Sequence, residues 1–129
     1  MIYDKQSFLT GNIDDPAFYQ KIIDALPIPI FYRDLNGVYQ MCNKAHEQFT
    51  GRPKAQIIGK SVYEIHTKTM ADIYSGRDKE LVAHPDVQVY ETEVKQKDGN
   101  KLNVVMNKAV IRNNENKIVG IVGSINDVT

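Results

Sequence analysis

Residues 87–129 read VQVYETEVKQKDGNKLNVVMNKAVIRNNENKIVGIVGSINDVT, and this segment predicts three consecutive antiparallel strands. The Asp98-Gly99 pair stands between two runs rich in β-branched residues, and glycine accepts the positive φ that a tight hairpin needs. Residues 113–116 offer similar turn chemistry before the third run. The C-terminal third of the chain is therefore predicted to be a three-stranded meander.

Upstream, the pattern predicts a helix and a first pair of strands. Asp15 followed by Pro16 is typical of a helix start, and apolar residues recur at helical spacing as far as Leu26, where two prolines follow. Residues 28–33 and 38–42 predict two strands, and Asp-Leu-Asn-Gly between them predicts their turn.

The middle of the chain is predicted to be helical. Asn43 is expected to cap a short helix through Thr50, and two further short helical pieces are expected at 54–58 and 61–66. A longer helix is expected over 68–82, with Met70, Ile73 and Leu81 facing inward, until Pro85 stops it. Strands at both ends of a helical middle indicate an α+β fold with an antiparallel sheet.

Composition limits the class of protein. The 129 residues are 42% hydrophobic and 25% charged with a formal net charge of zero, so neither nucleic acid nor an anionic membrane is expected as a partner. The single cysteine, Cys42, excludes an internal disulfide, and no apolar run is long enough to span a bilayer. We expect a cytoplasmic chain with a loose lead-in over 1–15 and one domain over 16–129, cut from something longer.

The motifs, taken in order, resemble those of PAS domains, the small sensor modules of signalling proteins. Residues 24–51, DALPIPIFYRDLNGVYQMCNKAHEQFTG, are similar to the PAS opening of helix, strand, D-x-x-G turn, strand and N-x-A. IIGKSVYEI at 57–65 resembles the step into the next short helix. DIYSGRDKEL, VYETEVKQKDG, NKAV and IVGSINDVT are similar to segments of PAS domains attached to bacterial histidine kinases and diguanylate cyclases.

This resemblance implies a PAS fold, with five strands in the order 2-1-5-4-3 and helices covering one face. It implies a sensor of bacterial signal transduction that is not itself an enzyme. A small molecule would bind non-covalently between sheet and helices, and the signal would leave through Asp127, Val128 and Thr129 to a kinase or cyclase effector in the same polypeptide. The position of Cys42 differs from that of the reactive cysteine in photoactive yellow protein and LOV domains, so covalent photochemistry is not expected.

Three groups of residues are candidate ligand contacts. Helical spacing places His46 with Phe49 on the inward face, where His46 would meet a ligand or be a core histidine bonded to a backbone carbonyl. Counting from the hairpin puts Tyr90 near Asn107, and both would line the pocket; alternatively Glu91 and Lys108 form a cross-strand pair while Tyr90 only packs. On the first strand the candidates are Tyr32 and Arg33; Arg33 would hold a ligand carboxylate or be paired with Asp34.

Other chemistries have less support in the sequence. The cofactor is left open: His66 or His84 is conceivable as a haem ligand, but His84 is better interpreted as an exposed residue at a helix end, and neither haem nor flavin is favoured. Asp72 and Asp78 do not share a helix face, and Asp78 is interpreted as part of a solvated surface. No metal site is predicted.

The alternative function is a dimerisation scaffold without a ligand. The apolar residues of the first helix are spread more widely than one narrow stripe, so Phe18 and Ile22 are candidates for contacts with a second copy. A homodimer is compatible with ligand binding.

Overall fold

The computed structural model describes residues 15–96 and 98–129, so the predicted lead-in lies outside the described residues except for Asp15. The elements follow the predicted order of one helix, two strands, several helices and three strands. In chain order they are α1 (Pro16–Asp24), β1 (Ile30–Asp34), β2 (Tyr39–Cys42), α2 (Lys44–Thr50), a 3₁₀ turn (Lys54–Gln56), α3 (Val62–Ile65), α4 (Lys68–Ala83), β3 (Gln88–Lys95), β4 (Lys101–Arg112) and β5 (Ile118–Asp127).

The five strands form one antiparallel sheet in the order β2-β1-β5-β4-β3, which confirms the predicted α+β architecture. The last strand of the chain lies in the centre, between β1 and β4. Strands from opposite ends of the sequence are therefore neighbours, and the helical middle of the chain covers the inner face of the sheet.

Turn chemistry fixes the register of the meander. Gly99 adopts φ +90° in the β3–β4 hairpin, and Asn116 adopts φ +64° in the turn before β5. The left-handed conformation costs little in glycine and is tolerated by asparagine, as these turns require. From the first turn, β3 pairs with β4 from Lys95 opposite Lys101 to Gln88 opposite Lys108.

Side-chain caps begin the helices at the expected places. The Asp15 carboxylate accepts from the N–H of Ala17, and the Asn43 side chain accepts from the N–H of His46. Both bonds satisfy N–H groups that have no partner inside the helix. α4 turns Ala71, Tyr74 and Leu81 inward. The prediction for Ile73 was wrong, since it lies on the exposed side of that helix.

Asn43 joins three elements through one fully buried side chain. Its amide nitrogen donates to the carbonyl oxygens of Ile23 (2.8 Å) and Ile28 (2.9 Å), just before and after the end of α1. Its amide oxygen accepts from the N–H of Ile30 (2.9 Å) and from that of His46 (3.0 Å). The end of α1, the start of β1 and the first turn of α2 are thereby held together.

Gly123 makes room for the core of the sheet. It lies opposite Phe31 in the β1–β5 pair, and a Cβ at this position would overlap the Phe31 ring. The ring lies against the glycine backbone and packs edge-to-face on Tyr39, with ring centroids 6.0 Å apart. Gly123 thus lets Phe31 and Tyr39 pack closely in the core between the sheet and the helices.

Within the described ranges, no helix is both long and apolar enough to cross a membrane.

Candidate functional site

A cavity of about 480 Å³ lies between the inner face of the sheet and helices α2, α3 and α4. Its volume is within the range of small-molecule sites. All five strands and three helices contribute side chains to its wall. The lining residues are Phe31, Arg33, Tyr39, His46, Phe49, Thr50, Arg52, Ile65, His66, Thr67, Met70, Tyr74, Tyr90, Val94, Lys95, Gln96, Met106 and Ile125.

One carboxylate holds two buried cations beside this cavity. Asp78 on α4 accepts from Arg33 on β1 through the guanidinium Nε (3.2 Å) and Nη2 (3.0 Å). The Lys108 ammonium on β4 lies 2.6 Å from the other oxygen of Asp78. Arg33 and Lys108 are each 2% exposed, so burial lowers the pKa of Lys108 while the Asp78 charge opposes that shift.

The interpretation of Asp78 as part of a solvated surface was wrong. Its position follows from helical spacing, because Asp78 lies four residues after Tyr74 and three before Leu81, both of which are buried. Asp34, the other candidate partner of Arg33, instead accepts from backbone N–H groups in its own turn, including that of Val38 at 3.1 Å. The polar neighbours of Asp78 in the sequence concealed this signal.

A chain of polar groups continues from Arg33 along the cavity wall. Arg33 Nη1 donates to the Tyr39 hydroxyl over 3.4 Å, and that hydroxyl lies 2.8 Å from Nε2 of His66. Burial, together with the charge of Arg33, lowers the pKa of His66 to about 4. At neutral pH this imidazole is therefore uncharged and can either donate to or accept from Tyr39.

Two buried polar atoms at the cavity have no partner in the described part of the chain: Nδ1 of His46 and the hydroxyl of Tyr90. His46 is 3% exposed, and burial followed by the charge of Arg33 lowers its pKa to about 4. Burial likewise raises the pKa of Tyr90 to about 12. Both groups are therefore neutral at pH 7 and have free hydrogen-bonding capacity, which is costly unless something else satisfies it.

Four of the six predicted ligand contacts meet at the cavity: Arg33, His46, Phe49 and Tyr90. Tyr32 and Asn107 lie outside its wall. For Asn107 the cause is the β3–β4 register, since Tyr90 lies opposite Met106 and Asn107 lies opposite Val89, one residue away from the predicted pairing. Because neighbouring residues of a strand face opposite ways, Asn107 points to the outer face of the sheet and Lys108 to the inner one.

The two histidines considered for haem differ in position. His66 lines the cavity with its Nε2 beside Tyr39, whereas His84 is exposed at the C-terminal end of α4. Across residues 15–96 and 98–129 no three metal-ligating side chains cluster.

The residues predicted for dimer contacts and signal relay lie at the surface. Phe18 is half-buried on α1, and Ile22 is 47% exposed. At the C-terminus, the N–H of Val128 donates to the carbonyl oxygen of Asn103 (2.9 Å), and the Thr129 hydroxyl accepts from the N–H of Asn103 (2.9 Å). The tail that follows β5 is thus bound to the start of β4.

Comparison with known proteins agrees with this geometry. The sequence profile of the family described as PAS fold matches residues 17–128. The aerobic respiration control sensor protein ArcB of Escherichia coli (strain K12) is 25% identical over 113 residues, which are 88% of this chain. Those residues span 14% of the length of ArcB.

Several solved structures share the fold. The PAS domain of BvgS from Bordetella pertussis is 23% identical with a TM-score of 0.75, covering 90% of this chain and 88% of its own. A PAS domain from Colwellia psychrerythraea is 25% identical with a TM-score of 0.73 and coverages of 84% and 92%. VqmA of Vibrio cholerae, bound to DPO, is 22% identical with a TM-score of 0.77 and coverages of 84% and 55%.

Proposed function

Because the chain belongs to the PAS fold family, we propose that it is a sensor domain that binds a small molecule non-covalently in the central cavity. The observation that carries the proposal is the pair of unpartnered buried groups, His46 Nδ1 and the Tyr90 hydroxyl, in the wall of a 480 Å³ cavity. A bound molecule would supply the missing hydrogen bonds. VqmA, which has a similar fold, is described as bound to DPO, and this supports a small molecule as the ligand.

The division of the wall into polar and apolar parts also favours a ligand. Phe31, Phe49 and Ile65 offer an apolar surface, while the polar groups converge from α2 and β3. A small number of placed polar groups in an apolar wall is how small-molecule sites fix the orientation of a ligand. We therefore propose binding, rather than catalysis, as the function of this domain.

Native mass spectrometry tests the proposal directly. The purified chain is expected to carry a mass above 14.6 kDa that is lost under denaturing conditions, and a haem or flavin would be recognised by its own mass. Met70→Trp should abolish the extra mass, because Met70 lines the cavity from α4 and an indole would fill much of it. Ile73→Trp is the matched control, since Ile73 lies on the exposed side of the same helix.

Two outcomes would contradict the proposal. One is a chain without any added mass whose amide spectrum is unchanged by every small molecule in a broad metabolite set. The other is an added mass that Met70→Trp retains and Ile73→Trp removes, because that pattern would locate the bound molecule outside the cavity.

We further propose that the tail Asp127-Val128-Thr129 relays the state of the cavity to an effector domain of kinase or cyclase type in the same cytoplasmic polypeptide. The similarity to the sensor protein ArcB supports a role in signalling. The tail's hydrogen bonds to Asn103 link it to β4, which also carries Met106 in the cavity wall.

Hydrogen exchange can measure this relay. We expect the Val128 N–H to exchange faster in protein stripped of its bound molecule than in protein as purified, because loss of a contact at β4 loosens the bond to Asn103. The Asn116 N–H, bonded within the distant turn before β5, serves as the internal control. Equal exchange of Val128 in both samples would rule out this route.

Dimerisation is the second candidate function, and it is favoured by the exposed apolar side of α1. Tyr19 and Ile22 on α1 are 48% and 47% exposed, and Leu26, just after the end of the helix, is 44% exposed. VqmA, of similar fold, is described as a dimer. Association through α1 would cover these side chains and would add to the ligand-binding function rather than replace it.

Ile22→Asp is expected to convert a dimer into a monomer over the micromolar range, because a carboxylate would be buried without a partner in the contact. Light scattering at several concentrations measures the mass. Val87→Asp, at an exposed position ahead of β3, is the control and should leave the mass unchanged. A wild-type chain that stays monomeric at high concentration would refute this second function.

A further inference from the structure

We infer that the cavity selects an organic anion, with an apolar body inside the cavity and an acidic group held at the opening by Arg52 and Lys95. This inference rests on the proposed function and adds the chemical class of the ligand.

The charged groups of the wall are all of one sign. Among the described lining residues three carry a permanent positive charge, Arg33, Arg52 and Lys95, and none is an aspartate or a glutamate. Lys108 and Asp78 lie behind the wall, and Arg33 and Lys108 share the single carboxylate of Asp78. A cleft with walls of low dielectric constant and an excess of one charge concentrates ligands of the opposite charge.

The two outer cations are available to a ligand. Arg52 is half-buried after α2, Lys95 is exposed at the end of β3, and in the described part of the chain neither has a carboxylate within 4.0 Å. On the neighbouring strand, by contrast, Lys101 is already paired with Glu93 at 3.5 Å. A carboxylate that reaches both Arg52 and Lys95 would gain two ion pairs without displacing an existing one.

The inner part of the cavity specifies the rest of the ligand. Phe49, Val94 and Ile125 offer an apolar surface for a flat ring system, and the free atoms of His46 and Tyr90 offer hydrogen bonds to a hydroxyl or carbonyl group. A matching molecule has a polar group at one end, a rigid apolar body and a carboxylate at the other end. These would meet, in turn, the free polar atoms, the apolar surface and the two outer cations.

Binding of 6-hydroxy-2-naphthoate, compared with its neutral amide 6-hydroxy-2-naphthamide, tests the class. The chain contains no tryptophan, so naphthalene fluorescence reports binding without interference. We expect the acid to bind about tenfold more tightly than the amide, since each of two partly exposed ion pairs contributes roughly threefold. This difference should shrink as salt is added, because exposed charges are screened.

Substitutions then locate the acidic group. Arg52→Gln and Lys95→Gln should each weaken binding of the naphthoate about threefold and leave binding of the naphthamide unchanged. Lys101→Gln, which removes a paired lysine from the neighbouring strand, should alter neither. Retained melting temperatures of all three variants would show that the changes do not come from unfolding.

The outcomes separate this inference from the function on which it rests. Binding of both molecules with equal affinity, or of the amide more tightly, overturns the anion class and leaves a small-molecule site. Binding of the acid that is insensitive to Arg52→Gln and Lys95→Gln overturns their role. If neither molecule binds, the anion class is overturned, and the native mass experiment decides separately whether the cavity binds anything.

Discussion

Replacing Asp78 by asparagine is expected to lower the free energy of unfolding by about 3–5 kcal/mol, the usual cost of leaving a buried charge without its partner. Asparagine keeps the shape of the side chain but removes the negative charge that Arg33 and Lys108 share. Two cations would then lie beside each other in the interior with no counter-charge. Urea unfolding followed by circular dichroism measures the loss.

Asp72→Asn is the matched control, because Asp72 is on the same helix and pairs with Lys68 over 3.1 Å at the surface. That pair is exposed to solvent, so its loss should destabilise the fold far less than the loss of the buried Asp78 charge. Lys108→Met combined with Asp78→Asn should recover part of the stability, since only one cation then remains. If Asp78→Asn lowers the free energy of unfolding no more than Asp72→Asn does, the buried Arg33–Asp78–Lys108 cluster does not stabilise the fold as proposed.

The second large effect is a loss of stability in mild acid. In the folded chain the pKa of His46 and of His66 is about 4, compared with an ordinary value of 6.5. Between these values the unfolded chain binds more protons than the folded chain, so the free energy of unfolding falls as the pH falls from 6.5 towards 4. Each histidine contributes a slope of up to about 1.4 kcal/mol per pH unit.

His46→Gln should reduce this slope by up to half of the histidine contribution. Urea unfolding at several pH values between 4.5 and 7 gives the slope, and an NMR titration of the imidazole protons gives the two pKa values. A wild-type slope that His46→Gln does not alter would show that His46 is not kept neutral by burial.

Turn and cap chemistry made most of the fold predictable. Gly99 and Asn116 occupy the left-handed positions where the sequence predicts turns, and Asp15 and Asn43 start the helices that they precede. These signals are local, so neighbouring residues are enough to identify them. The strand order could not be predicted from such local signals, because it depends on contacts between the two ends of the chain. The prediction took it from the resemblance to PAS domains.

The site was predicted less completely because it depends on register and on contacts distant in sequence. A shift of one residue in the pairing of Tyr90 was enough to exchange Asn107 for Lys108 on the inner face. The pairing of Asp78 with Arg33 joins residues 45 positions apart, and no local pattern specifies such a contact. Its one local sign, the spacing of Asp78 from Tyr74 and Leu81, was concealed by the charged residues beside it.

Asn43 gives the two proposed functions a thermodynamic connection. Its side chain donates to the carbonyl oxygens around the end of α1 and accepts from the N–H of His46, so a shift of α1 also moves the histidine in the cavity wall. Aspartate has no donor and cannot replace both sets of bonds. Where both proposals hold, dimerisation and ligand binding change each other's affinity by the same factor. Because the fraction of dimer depends on protein concentration, the apparent Kd of the ligand will then change with protein concentration.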